Sequence, residues 1–320
     1  MRVLVTGASG FVGQAMVDRL CRDGHHDVRA AVRDAAVFKN SNAEYELVGN
    51  LGPDTDWRSC LRNVDVIVHL AARVHVLNEQ ATDSLQEFRK TNVVGTRWLA
   101  RQAVEAGVRR FVFMSSTKVN GENTTANRPF TTIDVAAPCD AYGISKHEAE
   151  QALRHLSAET GMEVVIVRPS LVYGPGVKAN FRSMLQWLHK ELPLPLGAVR
   201  NRRSLVALDN LVDFAVCSID HPAAANEVFF VSDGTDLSTT ELLQLTAAAL
   251  GKRARLVAVP ASILKGAAQL FGRRDMAQRL LGSLQVDMSK TLEKLGWTPP
   301  VTMDEALSST ARHFLAHDVR

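Results

Sequence analysis

Apolar and polar positions follow two periods along this chain. Val3, Leu4 and Val5 form a short apolar run rich in β-branched residues, the pattern of a buried strand. Gly7, Gly10 and Gly13 come next, three apart. Phe11, Val12, Ala15, Met16 and Leu20 then recur at helical spacing until Gly24 stops the pattern. The strand-then-helix rhythm repeats. Residues 28–34 predict a second strand ending in charge, 46–51 a third, and 64–72 a fourth, apolar enough to be covered on both faces. Residues 84–107 predict one long helix closed by Gly107. Residues 110–114 predict a fifth strand that runs directly into Ser115 and Ser116. Five strands alternating with helices predict an α/β fold, a Rossmann-like doubly wound parallel sheet. Ligands of such sheets sit beyond the carboxyl ends of the strands, where the two serines fall.

Beyond Gly176 the alternation loosens. Residues 180–190 read as a helix and 192–197, with two prolines, as a stiff connector. Apolar stripes over 256–284, interrupted by Lys265, Arg273, Arg274 and Arg279, fit helices packed over a second lobe better than a membrane-surface helix. The expected organisation is a dinucleotide-binding domain over 1–175, with 204–233 returning to it. A smaller, mostly helical substrate lobe would be made of 176–203 and 234–320.

Composition narrows the picture. A net charge of +3 without a basic block gives nucleic-acid binding little support. Four scattered cysteines, with no CxxC pair, fit a reducing compartment and argue against a disulfide framework or a zinc site. The chain opens directly on a strand and has no apolar run near the ~20 residues of a membrane span. The expectation is a cytoplasmic protein without membrane insertion or metal.

The glycine turn is where the chemistry starts. Glycines let the backbone bend after a strand and approach a pyrophosphate without Cβ atoms in the way, while the following helix offers free N–H groups. Gly7, Ser9, Gly10, Phe11, Val12 and Gly13 are therefore candidate contacts of a dinucleotide. The end of the second strand meets the adenosine ribose in such units. An acid there accepts from a 2′-hydroxyl, and an arginine accommodates a 2′-phosphate. Arg33 holds the terminal place with Asp34 behind it, which favours NADP(H) over NAD(H). Asn50 and Leu51 are placed to touch the adenine. His69, alone at a strand end, reads as structural. Tyr142 and Lys146 lie four apart, on one helix face. A lysine ammonium beside a tyrosine favours the phenolate and brings proton exchange toward neutrality, and a serine can hold the substrate oxygen alongside.

Taken together, the motifs resemble the extended short-chain dehydrogenases/reductases over nearly the whole chain. They are residues 6–13, 69–72, 92–96, Ser115–Ser116, 142–146 and 168–176, in that order. The resemblance implies Tyr142 as acid/base, Lys146 on the nicotinamide ribose, and Ser116 rather than Ser115 as the catalytic hydroxyl, counted back from Gly121. It also implies cofactor contacts from Ala71, Ala72 and Pro169, and a buried relay role for Asn92. Asn120 stands where the family usually has tyrosine. Asn180 and Arg203, with Arg203 ahead of Arg202, would grip a nucleotide diphosphate, a task suited to a guanidinium fork. The partners implied are a UDP-sugar and a second copy of the chain in a homodimer.

Arg33 tilts the reading toward a nucleotide-sugar 4-ketoreductase acting on a UDP-linked 6-deoxyhexose of polysaccharide precursor synthesis. The alternative is a UDP-hexose 4-epimerase with tightly held NAD. A dinucleotide sensor without turnover fits poorly with an intact Ser116, Tyr142 and Lys146.

Overall fold

The computed structural model describes residues 1–38, 40, 42–74, 84–125, 128–272 and 274–319, without the side chains of 274–276. Strand β1 (Arg2–Thr6) lies inside a seven-stranded sheet whose pairings are all parallel. Its companions are β2 (Asp27–Val32), β3 (Glu44–Leu47), β4 (Val66–His69), β5 (Arg110–Met114) and β6 (Glu163–Pro169). In spatial order the sheet runs β3, β2, β1, β4, β5, β6 and finally Val228–Val231.

Alternate residues of each strand face opposite layers. Val3, Val5, Val66, Val68, Val112, Val165 and Val167 pack with helix α1 (Phe11–Asp23), which ends at Gly24 in the left-handed conformation. On the other face, Leu4, Ile67, Phe111, Phe113, Val164 and Ile166 meet Leu99, Leu153 and their helical neighbours. Both layers exist because the inner strands are apolar on both faces.

Several boundaries differ from the sequence expectation. The third strand lies earlier, at 44–47, and is an edge strand with mostly exposed residues. Val48 N–H bonds Val32 O, and Gly49, at φ +66°, then turns the chain out of the sheet, carrying Asn50 and Leu51 into a loop. The fourth strand is four residues long. Residues 84–107 are not one regular helix: α2 (Ser84–Phe88) passes through a wide π-helical turn (Arg89–Gly95) into α3 (Thr96–Glu105). That turn seats buried Asn92, whose side chain accepts from Arg73 N–H at 2.8 Å and donates to Arg73 O at 3.0 Å. Gly95 at its end has Leu51 against it, where a Cβ would lie 2.7 Å from Leu51 Cγ. A π-turn of this kind often marks a functional site.

Helix α4 (Ala141–Thr160) precedes β6, and a second sheet of three strands follows, built from β7 (Leu171–Tyr173), β8 (Arg203–Ala207) and Asp236–Leu237. Within 204–233, the first residues thus lie in this small sheet. The next element, α5 (Leu208–Asp220), packs beside α1 on the large sheet, and Val228–Val231 completes that sheet. A third core gathers Phe181, Leu185, Leu188, Leu205, Leu243, Leu307 and Phe314 around the small sheet. Among the described residues no helix is long and apolar enough to cross a membrane.

Candidate functional site

The glycine spacing has a steric cause at two positions. Gly7 sits at φ +67°, and a Cβ there would meet Ala71 N at 2.7 Å. A Cβ on Gly13 would lie 2.1 Å from Gly7 O and 2.8 Å from Ala8 Cα, both backbone. The first turn of α1 therefore lies directly against the bend after β1. Gly10 begins that helix without a side-chain cap, and no acid occupies its first turn. This is a fit for a pyrophosphate: an uncapped positive helix end behind a backbone stripped of Cβ atoms. Gly13→Ala is expected to lower stability by about 1–3 kcal/mol or more, since neither facing group is a flexible side chain. Thermal unfolding checks it, and an unchanged midpoint would mean that the turn is not held this way.

The other candidate cofactor residues ring the same end of the sheet. Ser9, Phe11 and Val12 are half-buried in the turn, and Ala71 and Ala72 follow β4, with Ala71 N–H on Thr6 Oγ1 at 3.3 Å. Arg33 is exposed just past β2. Asp34 is turned to a local task, its carboxylate accepting from Ala36 N–H. Asn50 is exposed, Leu51 half-buried, and Pro169 buried at the end of β6. Asn92 also donates to Ser145 Oγ at 3.0 Å, and Ser145 in turn donates to Tyr142 O at 2.8 Å. Its amide is thus engaged within the protein, linking the π-turn to the start of α4.

His69 is structural. Its ring nitrogens pair with Thr6 Oγ1 at 2.7 Å and Thr96 Oγ1 at 2.9 Å, fully buried beside Phe113. Burial, with the nearby Lys146 charge, pushes it from 6.5 down to about 3. Between those values the unfolded chain binds more protons, so the stabilisation is complete above pH 6.5 and is lost as pH falls. The expected loss from this group is roughly 1.4 kcal/mol per pH unit below 6.5. Urea unfolding of wild type and His69→Asn across pH 7 to pH 5 checks it, the variant lacking that part of the slope.

At the heart of the site the Ser116 hydroxyl lies beside Tyr142, close enough to hold down the proton affinity of the phenol. Ser116 follows β5 and starts a short 3₁₀ turn, its hydroxyl accepting from Lys118 N–H at 3.2 Å. Tyr142 is in the first turn of α4, which Asp140 caps through Gly143 N–H at 2.7 Å. One turn further, buried Lys146 donates from Nζ to Met114 O at 2.7 Å. That nitrogen lies 4.5 Å from the Phe113 ring centre and 5.9 Å from that of Tyr142. Ser115 is turned away, donating to Glu150 Oε1 at 2.5 Å.

The electrostatics correct the sequence expectation on one point. Lys146 does not bring the phenol toward neutrality here. Burial, and then the Asp140 charge, push Tyr142 above the ordinary tyrosine range, opposed by the Ser116 hydroxyl. Lys146 is itself pushed down to about 7 by burial, with the Glu150 carboxylate opposing. Its amine lies beneath the ring, bound to a carbonyl, rather than against the phenolic oxygen.

Two groups of residues that sequence reasoning left out support this centre. Lys118 bridges Glu122, at 3.1 Å, and Asp140, the carboxylate that caps α4. Behind it lies a closed buried network. Arg168 grips Glu150 with Nε at 2.9 Å and with a second nitrogen, and donates to Asn120 Oδ1 at 2.8 Å. Asn120 therefore faces the interior. The spacing of Glu150, four after Lys146, was the available signal.

In the small sheet, Arg203 opens β8, half-buried, and donates to Gly282 O at 3.1 Å. Among the described residues no carboxylate pairs with it, and burial lowers its guanidinium from the usual value. Arg202 instead reaches Asp236 O at 3.3 Å and Glu241 at 3.7 Å. Asn180 is exposed in the first turn of the helix Ala179–His189.

Comparison with known proteins agrees with the fold. Residues 3–232 match the NAD dependent epimerase/dehydratase family. A UDP-glucose 4-epimerase of Vibrio cholerae is 48% identical over 314 residues, 98% of this chain and 95% of that protein. The UDP-glucose 4-epimerase of Thermotoga maritima, solved with UDP-glucose, superposes with a TM-score of 0.79 at 24% identity, covering 99% of both chains. MoeE5 in complex with UDP-glucuronic acid and NAD gives the same score, identity and coverage. This chain belongs to the NAD dependent epimerase/dehydratase family, the extended short-chain dehydrogenases/reductases.

Proposed function

We propose that this protein is a UDP-hexose 4-epimerase that inverts the C4 hydroxyl of a UDP-linked hexose. One observation carries the choice: the near-full-length relative at 48% identity is a UDP-glucose 4-epimerase. The site chemistry fits that assignment. NAD, when bound, supplies a reversible hydride acceptor for C4. Gly7, Gly10 and Gly13 with the start of α1 would hold its pyrophosphate. Ser116 and Tyr142, which lie beside each other, would hold the C4 oxygen between them. Tyr142, in its phenolate form, would take the proton from that oxygen while the hydride leaves C4, and would return it after the sugar presents its other face. The net change is stereochemical, with no reductant consumed. Lys146 sits beneath the ring with its amine on Met114 O, and would reach the nicotinamide ribose of the bound coenzyme. Arg203, a desolvated cation without a carboxylate partner among the described residues, suits the diphosphate, which would anchor the nucleotide while the hexose turns.

A second reading, NADPH-dependent reduction of a 4-keto sugar, rests on Arg33, which is exposed beyond β2 without a protein partner among the described residues. The two readings separate in one assay. Purified protein incubated with UDP-glucose or UDP-N-acetylglucosamine, with no added nicotinamide, is expected to yield the 4-epimer by NMR. Failure to epimerise either sugar, with stoichiometric NADPH oxidation by a UDP-4-keto sugar, would overturn the epimerase assignment in favour of the reductase.

A further inference from the structure

One residue outside the catalytic pair touches the supports of both its members. Lys118 follows Ser116 by two positions, in the short 3₁₀ turn after β5. Its backbone N–H donates to Ser116 Oγ at 3.2 Å. Its carbonyl abuts the first turn of α4, where a Cβ on Gly143 would lie 2.7 Å from that oxygen. Its ammonium grips Asp140, the residue that caps α4, and reaches Glu122 at 3.1 Å. The two oxygens of the Asp140 carboxylate divide the work. Oδ1 accepts from Gly143 N–H at 2.7 Å, and Oδ2 accepts from the Lys118 ammonium. Tyr142 stands on that turn, between the capping residue and Gly143. The Lys118 side chain is 23% exposed and that of Asp140 24%, so both are mostly covered and have little freedom to part.

We propose that Lys118 is a positioning residue: by holding Asp140 it fixes the first turn of α4, and with it Tyr142, against the turn that carries Ser116. The two groups that meet the sugar oxygen come from separate elements, the end of β5 and the start of α4. Backbone packing at Gly143 brings these elements together. The ion pair then resists fraying of the helix start, whose first N–H groups have no partner within the helix. Precision matters there, since a misplacement of about 1 Å can cost about 100-fold in rate. A partly exposed ion pair adds little to global stability, so the role is read in turnover and not in melting. The inference rests on the reading that Ser116 and Tyr142 handle the sugar oxygen, and it holds for an epimerase and a reductase alike.

Three variants of the full-length protein test it. Lys118→Met is expected to lower kcat about 10–100-fold, with KM for the UDP-hexose within about twofold and a melting temperature within about 3 °C of wild type. Lys118→Arg keeps a cation on Asp140 and should restore most of the turnover. Asp140→Asn separates geometry from charge, because it keeps an oxygen for Gly143 N–H but turns an amide donor toward Lys118. Loss of the carboxylate charge alone would ease ionisation of Tyr142, so the lower kcat expected of this variant marks lost positioning. A kcat within about twofold of wild type, or above it, in Lys118→Met or Asp140→Asn overturns the proposal. So does a Lys118→Arg as slow as Lys118→Met. A further readout needs no substrate. The chain has three tyrosines, Tyr45, Tyr142 and Tyr173. In NMR spectra of ring-labelled tyrosine, the Tyr142 signal, identified by its loss in Tyr142→Phe, should be displaced in Lys118→Met while the other two stay. An unmoved Tyr142 signal overturns the proposal as well. Wild-type protein that turns over no UDP-sugar would instead sink the functional reading and leave this spectroscopic test of Lys118 in force.

Discussion

Tyr142→Phe is expected to lower kcat by about 10²–10⁴-fold while leaving KM for the UDP-sugar and the melting temperature close to wild type. The substitution removes one oxygen. The ring that remains keeps its edge contact with Phe88, at 6.2 Å between centres, and still covers the Lys146 amine. Ser116 retains the bond from Lys118 N–H, so its hydroxyl is not orphaned. What disappears is the half-buried phenol that exchanges a proton with the sugar oxygen. Steady-state kinetics with the UDP-hexose pair checks it. A kcat within a fewfold of wild type would move the proton transfer to another group, and a protein that only senses dinucleotides would lose no binding at all.

The residues that carry this prediction were legible because they combine a local period with a motif. Tyr142 and Lys146 share a helix face by spacing alone, and the glycines at 7 and 13 are required by backbone contacts that any sequence in this turn must satisfy. Apart from β3, the sheet was equally legible up to β5, since each of those strands is an apolar run between turn signals. Three things were not. Strand ends depend on single left-handed residues such as Gly49, so Asn50 and Leu51 were placed in a strand they leave. The π-turn is imposed from outside the helix, by Arg73, Ser145 and Leu51, and periodicity within 84–107 contains no trace of it. The proton affinity of Tyr142 was read from Lys146 alone, but it follows from burial and from Asp140, which only the folded chain brings into play. Choosing Ser116 over Ser115 needed the family's turn, and the structure supplies a physical counterpart: Ser115 is already bonded to Glu150.

That bond belongs to the network behind the second large prediction. Arg168→Met is expected to destabilise the protein by about 3–5 kcal/mol, because it leaves the Glu150 carboxylate buried with only the Ser115 hydroxyl against it. Arg168 and Glu150 are 4% and 2% exposed, so water cannot take over the missing partner. Glu150→Leu alone strands the guanidinium in the same way. The double variant should therefore be less destabilised than the sum of the two, with a coupling of about 0.5–3 kcal/mol readable from urea unfolding. Additive losses would show that each residue is held by its other contacts instead. The network also reaches the chemistry. Glu150 lies one turn beyond Lys146 and opposes the burial that pushes that amine down to about 7. Glu150→Gln keeps the shape and removes the charge, so Lys146 should lose its proton at a lower pH, moving the alkaline limb of kcat to more acidic values. A purely structural carboxylate would leave that limb where it is.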